Sequence, residues 1–202
     1  MKVFTKAVAA GIMIGIGAVI YLSCSNKIVA SLLFSIALFM ICSFGMNLFT
    51  GKIGYAIEKR NDPNCLVIWL GNFLGCTATA LLVRVAKPSL ADTAKELMAN
   101  KLSQSPLSII ILAFFCGILM YLAVENYASN PSDFGKIVGV FLCVSVFILS
   151  GFEHSIADIG YAAFAVSSVS DAGKMLLFVV TVSIFNGVGS IMFHSLNKFN
   201  KA

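Results

Sequence analysis

Charge is scarce in this chain: Asp, Glu, Lys and Arg together make up 11% of the 202 residues, while 59% of the residues are hydrophobic. A soluble domain carries about 25% charged residues, so the composition excludes an ordinary soluble protein. The mean hydropathy of +0.94 leads to the same conclusion. We expect an integral membrane protein with a single transmembrane domain over residues 1–202.

Basic runs, CxxC pairs and histidine clusters are also missing. The net charge of +5 is spread over loops and tails, which argues against nucleic acid as a partner. The six cysteines lie mostly inside apolar segments, where cysteine usually serves as a small packing residue. The two histidines, His154 and His194, are too few for a histidine-rich metal site, and we expect neither a metal nor a cofactor. His194, near the end of the last apolar segment, is expected to lie at the membrane interface without a role.

The N-terminus allows two interpretations. Lys2 and Lys6 precede an apolar run that reaches Leu-Ser-Cys at residues 22–24, a pattern similar to a lipoprotein signal. The run is nevertheless long enough to cross a bilayer. Gly11 and Gly15 in it have the spacing of a helix-packing surface. We therefore favour a first membrane span.

Six uncharged stretches are near or above the length of about 20 residues that a bilayer requires. The predicted spans are residues 7–26, 28–51, 65–83, 102–124, 137–169 and 175–196. Residues 58–63 predict a charged turn, and residues 90–97 predict a short interfacial helix. Six spans place both termini on one side, and the excess of Lys and Arg on that side, eight against six, favours the cytoplasm.

Polar residues interrupt the fifth span. Residues 150–158 read SGFEHSIAD, which places Glu153, His154 and Asp158 in otherwise apolar sequence. Ionisable groups at membrane depth are costly unless they face a cavity or a partner. A broken helix is tolerated there when it is buried in protein or lines a pathway. The segment predicts transport of something small, with His154 as the first candidate and with Glu153 accepting backbone N–H groups freed by the break.

The two halves of the chain share a pattern. The second span ends in SFGMNLFTG at residues 43–51, which is a second interruption. The span after each break carries Asn and Gly at the same spacing, Asn72 with Gly75 and Asn186 with Gly189. Two successive sets of three spans run in opposite senses, so the pattern predicts an inverted repeat with a pathway near the midplane.

With these motifs in this order, the chain resembles the formate/nitrite transporter family of pentameric anion channels. The matching segments are LFTG at 48–51, LGNFLG at 70–75, GFEHSIA at 151–157 and residues 186–189. The resemblance implies an all-α integral membrane fold with six transmembrane helices. It further implies an inverted 3+3 repeat, breaks in helices 2 and 5, and an aquaporin-like protomer.

The resemblance also implies site residues. The pore centre falls on His154, with Thr50 facing it from the broken second helix, and the vestibule charge falls on Lys101 at the start of the fourth helix. The implied hydrophobic constrictions are Phe34, Leu38, Leu48 and Phe147. The residues implied to support the loops are Glu153, Asp158, Asn72 and Asn186.

The chain departs from the family pattern at three places. Lys52 and Asp158 stand where the two break motifs usually carry Asn, and the fourth helix lacks its usual Asn near Gly117. A carboxylate one helical turn from His154 would favour the protonated imidazole.

The implied function is transport of a small monovalent anion, linked to protons, by a homopentamer in the inner or plasma membrane with cytoplasmic termini. Formate is the first expectation, and nitrite, hydrosulfide, lactate and acetate also fit. A neutral-solute channel of aquaporin-like layout is the alternative, against which stands the absence of paired Asn-Pro-Ala motifs. A membrane enzyme is a weaker alternative, because His154 and its two neighbouring carboxylates lack a nucleophile or a full metal-ligand set.

Overall fold

The structure, a computed structural model, describes residues 1–58 and 64–199, and it is built from helices. Of the turn predicted at residues 58–63, only residue 58 is among the described residues. The helices are α1 Lys2–Ser23, α2 Lys27–Ser43, α3 Phe49–Lys52, α4 Cys65–Ala86, α5 Leu90–Leu102, α6 Pro106–Ser129, α7 Asp133–Leu149, α8 Ser155–Ala165 and α9 Val169–Phe199. A 3₁₀ turn, Ile53–Tyr55, continues α3.

Six membrane-spanning segments follow from these helices in the predicted order. Helices α1, α4, α6 and α9 are each long and apolar enough to cross a membrane. The second and fifth segments are the interrupted ones, α2 with α3 and α7 with α8. The prediction of an all-α membrane fold with breaks in the second and fifth spans is confirmed.

The two breaks are closed in the same way. Gly45 and Gly151 follow the ends of α2 and α7 with φ of 58° and 67°, a conformation that glycine adopts without steric cost. After each glycine, the next N–H donates to a carbonyl five residues earlier, Met46 to Ile41 and Phe152 to Phe147, each at 2.9 Å. Both helices are therefore stopped by a glycine-dependent cap within the apolar part of the fold.

The inverted repeat is visible in how the continuous helices pack. Helix α4 lies against α1 in the first half, and α9 lies against α6 in the second. A Cβ added to Gly75 would lie 2.1 Å from the Val8 carbonyl oxygen, and one added to Gly189 would lie 2.0 Å from that of Phe114. The Asn-Gly spacing thus marks equivalent places where two helix backbones touch.

The boundary between the third and fourth spans differs from the prediction. Helix α6 begins at Pro106, with Ser105 accepting the Ser108 N–H as its cap, and proline is tolerated in a first turn. The interfacial helix α5 extends to Leu102, beyond the predicted residue 97. Lys101 therefore lies in the last turn of α5, where a cation is favoured by the helix dipole, and the prediction that it starts the fourth span was wrong.

Candidate pore and vestibules

Two buried asparagines hold the two breaks in place. The side chain of Asn72 accepts the Phe49 N–H at 2.7 Å and donates to the carbonyls of Ala7 and Asn47. Asn186 repeats this arrangement: it accepts the Ser155 N–H at 3.0 Å and donates to the carbonyls of Ala113 and Glu153. Each amide satisfies backbone groups that the break leaves without a helical partner.

The two breaks meet at Thr50 and His154. Thr50 Oγ1 lies 3.0 Å from His154 Nε2, and their exposed fractions are 0% and 2%. His154 is the N-cap of α8, and its Nδ1 accepts the Ala157 N–H at 3.1 Å. An accepting Nδ1 leaves the proton of a neutral imidazole on Nε2, so Nε2–H donates to the Thr50 hydroxyl.

Apolar side chains surround this contact. The ring of Phe147 stacks on that of His154, with centroids 5.3 Å apart, and Phe34 meets Phe147 edge-on at 6.1 Å. Phe34, Leu38, Leu48 and Phe147 are all buried. We call these four residues with Thr50 and His154 the neck.

A cavity of about 200 Å³ opens on one side of the neck and is here called the first vestibule. His154 and Phe147 form its inner wall, and Tyr21, near the end of α1, lies at its rim. Lys101 reaches into it from α5, with 13% of its side chain exposed. The vestibule is thus a polar chamber directly beside the histidine.

Lys101 is held by both carboxylates that the break sequence supplies. Its Nζ contacts Glu153 Oε2 and lies 3.0 Å from Asp158 Oδ1. Gln104 Nε2 donates to the other oxygen of Glu153 at 2.7 Å. The Glu153 carboxylate therefore binds side chains and not freed N–H groups, so that prediction was wrong. Asp158 forms its ion pair with Lys101.

A second cavity, of about 140 Å³, is called the second vestibule and includes Leu48, Gly51, Lys52, Val124 and Tyr127 in its wall. Gly45 also lines it, and a Cβ at that position would be 3.9 Å from Lys6 Nζ at the start of α1. Lys6 and Tyr21 are separated by 15 residues of one helix, or about 22 Å at 1.5 Å per residue. The two vestibules therefore lie towards opposite ends of α1, with the neck between them.

Some relevant residues were missed at the level of sequence. Gln104 precedes α6 as an ordinary polar residue, and only the fold brings it to Glu153. His194, predicted to be interfacial, is 3% exposed. Its Nδ1 lies 3.2 Å from the Tyr121 hydroxyl, and its Nε2 lies 3.1 Å from Glu58 Oε1, contacts that the sequence did not predict. Among the described residues no group of three His, Cys, Asp or Glu side chains is arranged to hold a metal ion.

Comparison with known proteins decides the family. The family model described as formate/nitrite transporter matches residues 1–199. The chain belongs to this family. It is therefore a membrane transport protein and not an enzyme, as the motifs predicted.

Individual relatives agree with this assignment. The chain is 25% identical to the formate channel FocB of Escherichia coli strain K12, over 83% of this chain and 67% of that protein. It is 25% identical to the nitrite transporter NirC of the same strain, over 92% of this chain and 81% of that protein. The chain spans about two thirds of the length of the formate channels FocB and FocA of that strain, at 67% and 64%.

A solved pentameric formate channel with formate bound has the same fold. Its TM-score with this chain is 0.79 at 24% identity, covering 98% of this chain and 95% of that one. The likeness establishes the fold of this chain.

Proposed function

We propose that the protein is a channel for small monovalent anions, each passing through a protomer from one vestibule to the other across the neck. The observation that carries the proposal is the contact between Thr50 and His154, 3.0 Å long and buried where the two breaks meet. These are the polar side chains of an otherwise apolar constriction. A solute crossing here meets hydrogen-bond donors at one level only.

The neck favours an anion small enough to shed its water. Moving a charge into apolar surroundings is costly, and donors compensate best when they are already in place. The Nε2–H of His154 and the hydroxyl of Thr50 are such donors, and the N-terminus of α8 adds a positive partial charge. Formate or nitrite matches this donor set better than a cation does.

The same geometry supports a link between anion transport and protons. Because the neck disfavours a charged solute, an anion that takes up a proton crosses more easily as its neutral acid. We propose this route, with His154 and Thr50 contacting the acid as it passes. The apolar constrictions Phe34, Leu38, Leu48 and Phe147 then oppose the ionised form more than the neutral one.

The vestibules serve to collect the anion. Lys101 lies in the first vestibule, and Lys52 lines the second. Lys52 has no ion-pair partner among the residues of 1–58 and 64–199. The positive charge of Lys52 raises the local concentration of anions in the second vestibule, whereas Lys101 in the first vestibule is paired with Glu153 and Asp158.

For the substrate, we place formate first, with nitrite and hydrosulfide next and lactate and acetate behind them. The relatives support formate and nitrite, since they include proteins named as formate channels and one named as a nitrite transporter.

For the assembly, we propose a homopentamer in the cell (inner or plasma) membrane, with residues 1–202 as one domain and both termini cytoplasmic. The pentameric structural neighbour supports this assembly. Large exposed apolar side chains along the spans, such as Leu66, Leu82 and Leu177, suit contact with lipid or with neighbouring protomers.

The test is flux into liposomes. Formate, nitrite, hydrosulfide, lactate, acetate and the neutral solute glycerol are compared at pH 5 and pH 7, with His154→Ala in parallel and with assembly checked by size. We expect saturable flux of at least one anion, faster at pH 5 and altered in the variant. Flux of glycerol without any anion would favour the neutral-solute channel, and no flux above empty liposomes would refute transport.

A further inference from the structure

The first vestibule holds more negative than positive charge. Its charged side chains are one ammonium, Lys101, and two carboxylates, Glu153 and Asp158. The carboxylates are 0% and 1% exposed. With all three groups ionised, the cluster carries a net charge of −1 at the place where an anion must approach His154.

The two carboxylates are not equally supported. Glu153 receives hydrogen bonds from Lys101 and Gln104, one on each oxygen. Asp158 has Lys101 Nζ 3.0 Å from Oδ1, but no donor among the described residues reaches its Oδ2. A buried carboxylate oxygen without a donor is costly, and a proton on it removes the charge.

The geometry also gives that proton a partner. Both carboxylates contact the same ammonium, Glu153 through Oε2 and Asp158 through Oδ1 at 3.0 Å from Lys101 Nζ, so the two groups are close neighbours. A hydrogen bond between two carboxyls requires a proton on one of them, and paired carboxyls commonly share one. Neutralised in this way, the pair and Lys101 together carry no net charge.

Other titratable groups face Asp158 from the helices packed around α8. They are Lys101 from α5, Glu153 from the preceding loop, Tyr21 from α1, Cys76 from α4, Cys116 from α6 and Tyr161 from α8 itself. Thiols and phenols ordinarily titrate above neutral pH. His154 lines the same vestibule, while α3 and α9 contribute Thr50 and Asn186, which do not titrate.

We propose that Asp158 is a proton-binding residue of the vestibule, and that an anion reaches His154 when Asp158 carries a proton. This inference rests on the proposed function, which it deepens by coupling the binding of proton and anion at one site. The proton comes from bulk water onto an Asp158 oxygen and is released when the anion leaves. For an anion about 5 Å away in a medium of effective dielectric near 20, removing one negative charge increases occupancy on the order of 100-fold.

Two measurements test this on the intact protein in liposomes. Infrared difference spectra over pH 6–9, above the range in which exposed carboxyls ordinarily titrate, follow the carbonyl band of a protonated carboxyl in wild type, Asp158→Asn and Asp92→Asn. Formate flux is measured over the same range. Asp92 is a suitable control, since it lies on α5 with 81% of its side chain exposed and pairs with Lys95.

We expect a pH-dependent carboxyl band in wild type and Asp92→Asn that is absent in Asp158→Asn. With rising pH, flux through wild type should fall more steeply than flux through Asp158→Asn, by up to a factor of ten for each pH unit. At pH 8, flux through Asp158→Asn should be at least tenfold faster than flux through wild type. Glu153→Gln, which removes the carboxyl that shares the proton, should also lose the band and flatten the profile.

Failure of this proposal and failure of the proposed function give different results. Formate flux with the same pH profile in wild type, Asp158→Asn and Glu153→Gln would overturn the proton site and leave the channel standing. No flux in wild type would refute the channel. The infrared band can be measured whether or not the protein transports formate. A band that persists in Asp158→Asn would overturn the proton site. If Asp158→Asn does not fold, a band that persists in Glu153→Gln would overturn it.

Discussion

Asn186→Ala should destabilise the second half of the fold strongly, because one amide closes the break before α8. The substitution removes three hydrogen bonds, of 2.7 Å to Ala113, 2.9 Å to Glu153 and 3.0 Å to Ser155. The Ala113 carbonyl lies within α6, where a helical bond remains available to it. The N–H of Ser155 and the carbonyl of Glu153 lie in the break and lose this partner.

The magnitude follows from those two groups. A buried polar group left without a partner costs about 1–3 kcal/mol, so the expected loss is about 2–6 kcal/mol in the free energy of unfolding. A suitable control is Asn64→Ala, because Asn64 is an exposed N-cap of α4 and accepts a single 3.4 Å bond from the Val67 N–H. Loss of such a cap costs about 1 kcal/mol.

The assay is denaturant unfolding of the purified protein in mixed micelles, with formate flux measured in parallel at a temperature where both variants remain folded. Flux should fall in Asn186→Ala, since Ser155 and Glu153 flank His154. Equal unfolding of Asn186→Ala and Asn64→Ala would refute the argument that the amide holds the break.

Three further predictions test other parts of the account. Gly117→Ala should lower the free energy of unfolding by about 1–3 kcal/mol, because the added Cβ would lie 2.1 Å from the Asn186 carbonyl oxygen. Gly173→Ala, whose Cβ would have nothing within 4 Å, should not lower it, and equal thermal unfolding of the two variants would contradict this. Thr50→Val should reduce formate flux about tenfold through loss of one buried hydrogen bond, and Thr50→Ser should restore it; flux through Thr50→Val at the wild-type rate would exclude a role for the hydroxyl. Lys52→Gln should raise the half-saturating formate concentration about two- to fivefold at low salt, an effect that added salt should erase; an unchanged value would remove Lys52 from anion collection.

Local sequence was sufficient to predict the breaks and the repeat. Gly45 and Gly151 lie next to polar residues in apolar runs, and the Asn-Gly spacing is read within single helices. The signal that starts α6 was also present, as Ser105 followed by Pro106. It shows why Lys101 belongs to the preceding helix.

The partners of the buried charges were not predictable in this way. Glu153 and Asp158 lie close to His154 in the chain, which suggested an interaction with its ring or with the nearby backbone. Their cation instead comes from α5, some 50 residues earlier, because α5 packs against α8. His194 likewise contacts Tyr121 and Glu58, both distant in sequence, so its partners could not be predicted from its neighbours in the chain.

The most direct test of the central claim is to block the neck. Formate flux should be compared in liposomes containing wild type, Leu48→Trp and Leu82→Trp, all verified to assemble alike. Leu48 is 2% exposed in the neck, and Leu82 is 73% exposed on the outer surface of α4. The account predicts that flux stops in Leu48→Trp and continues in Leu82→Trp, and undiminished flux through Leu48→Trp would show that the anion does not cross between Thr50 and His154.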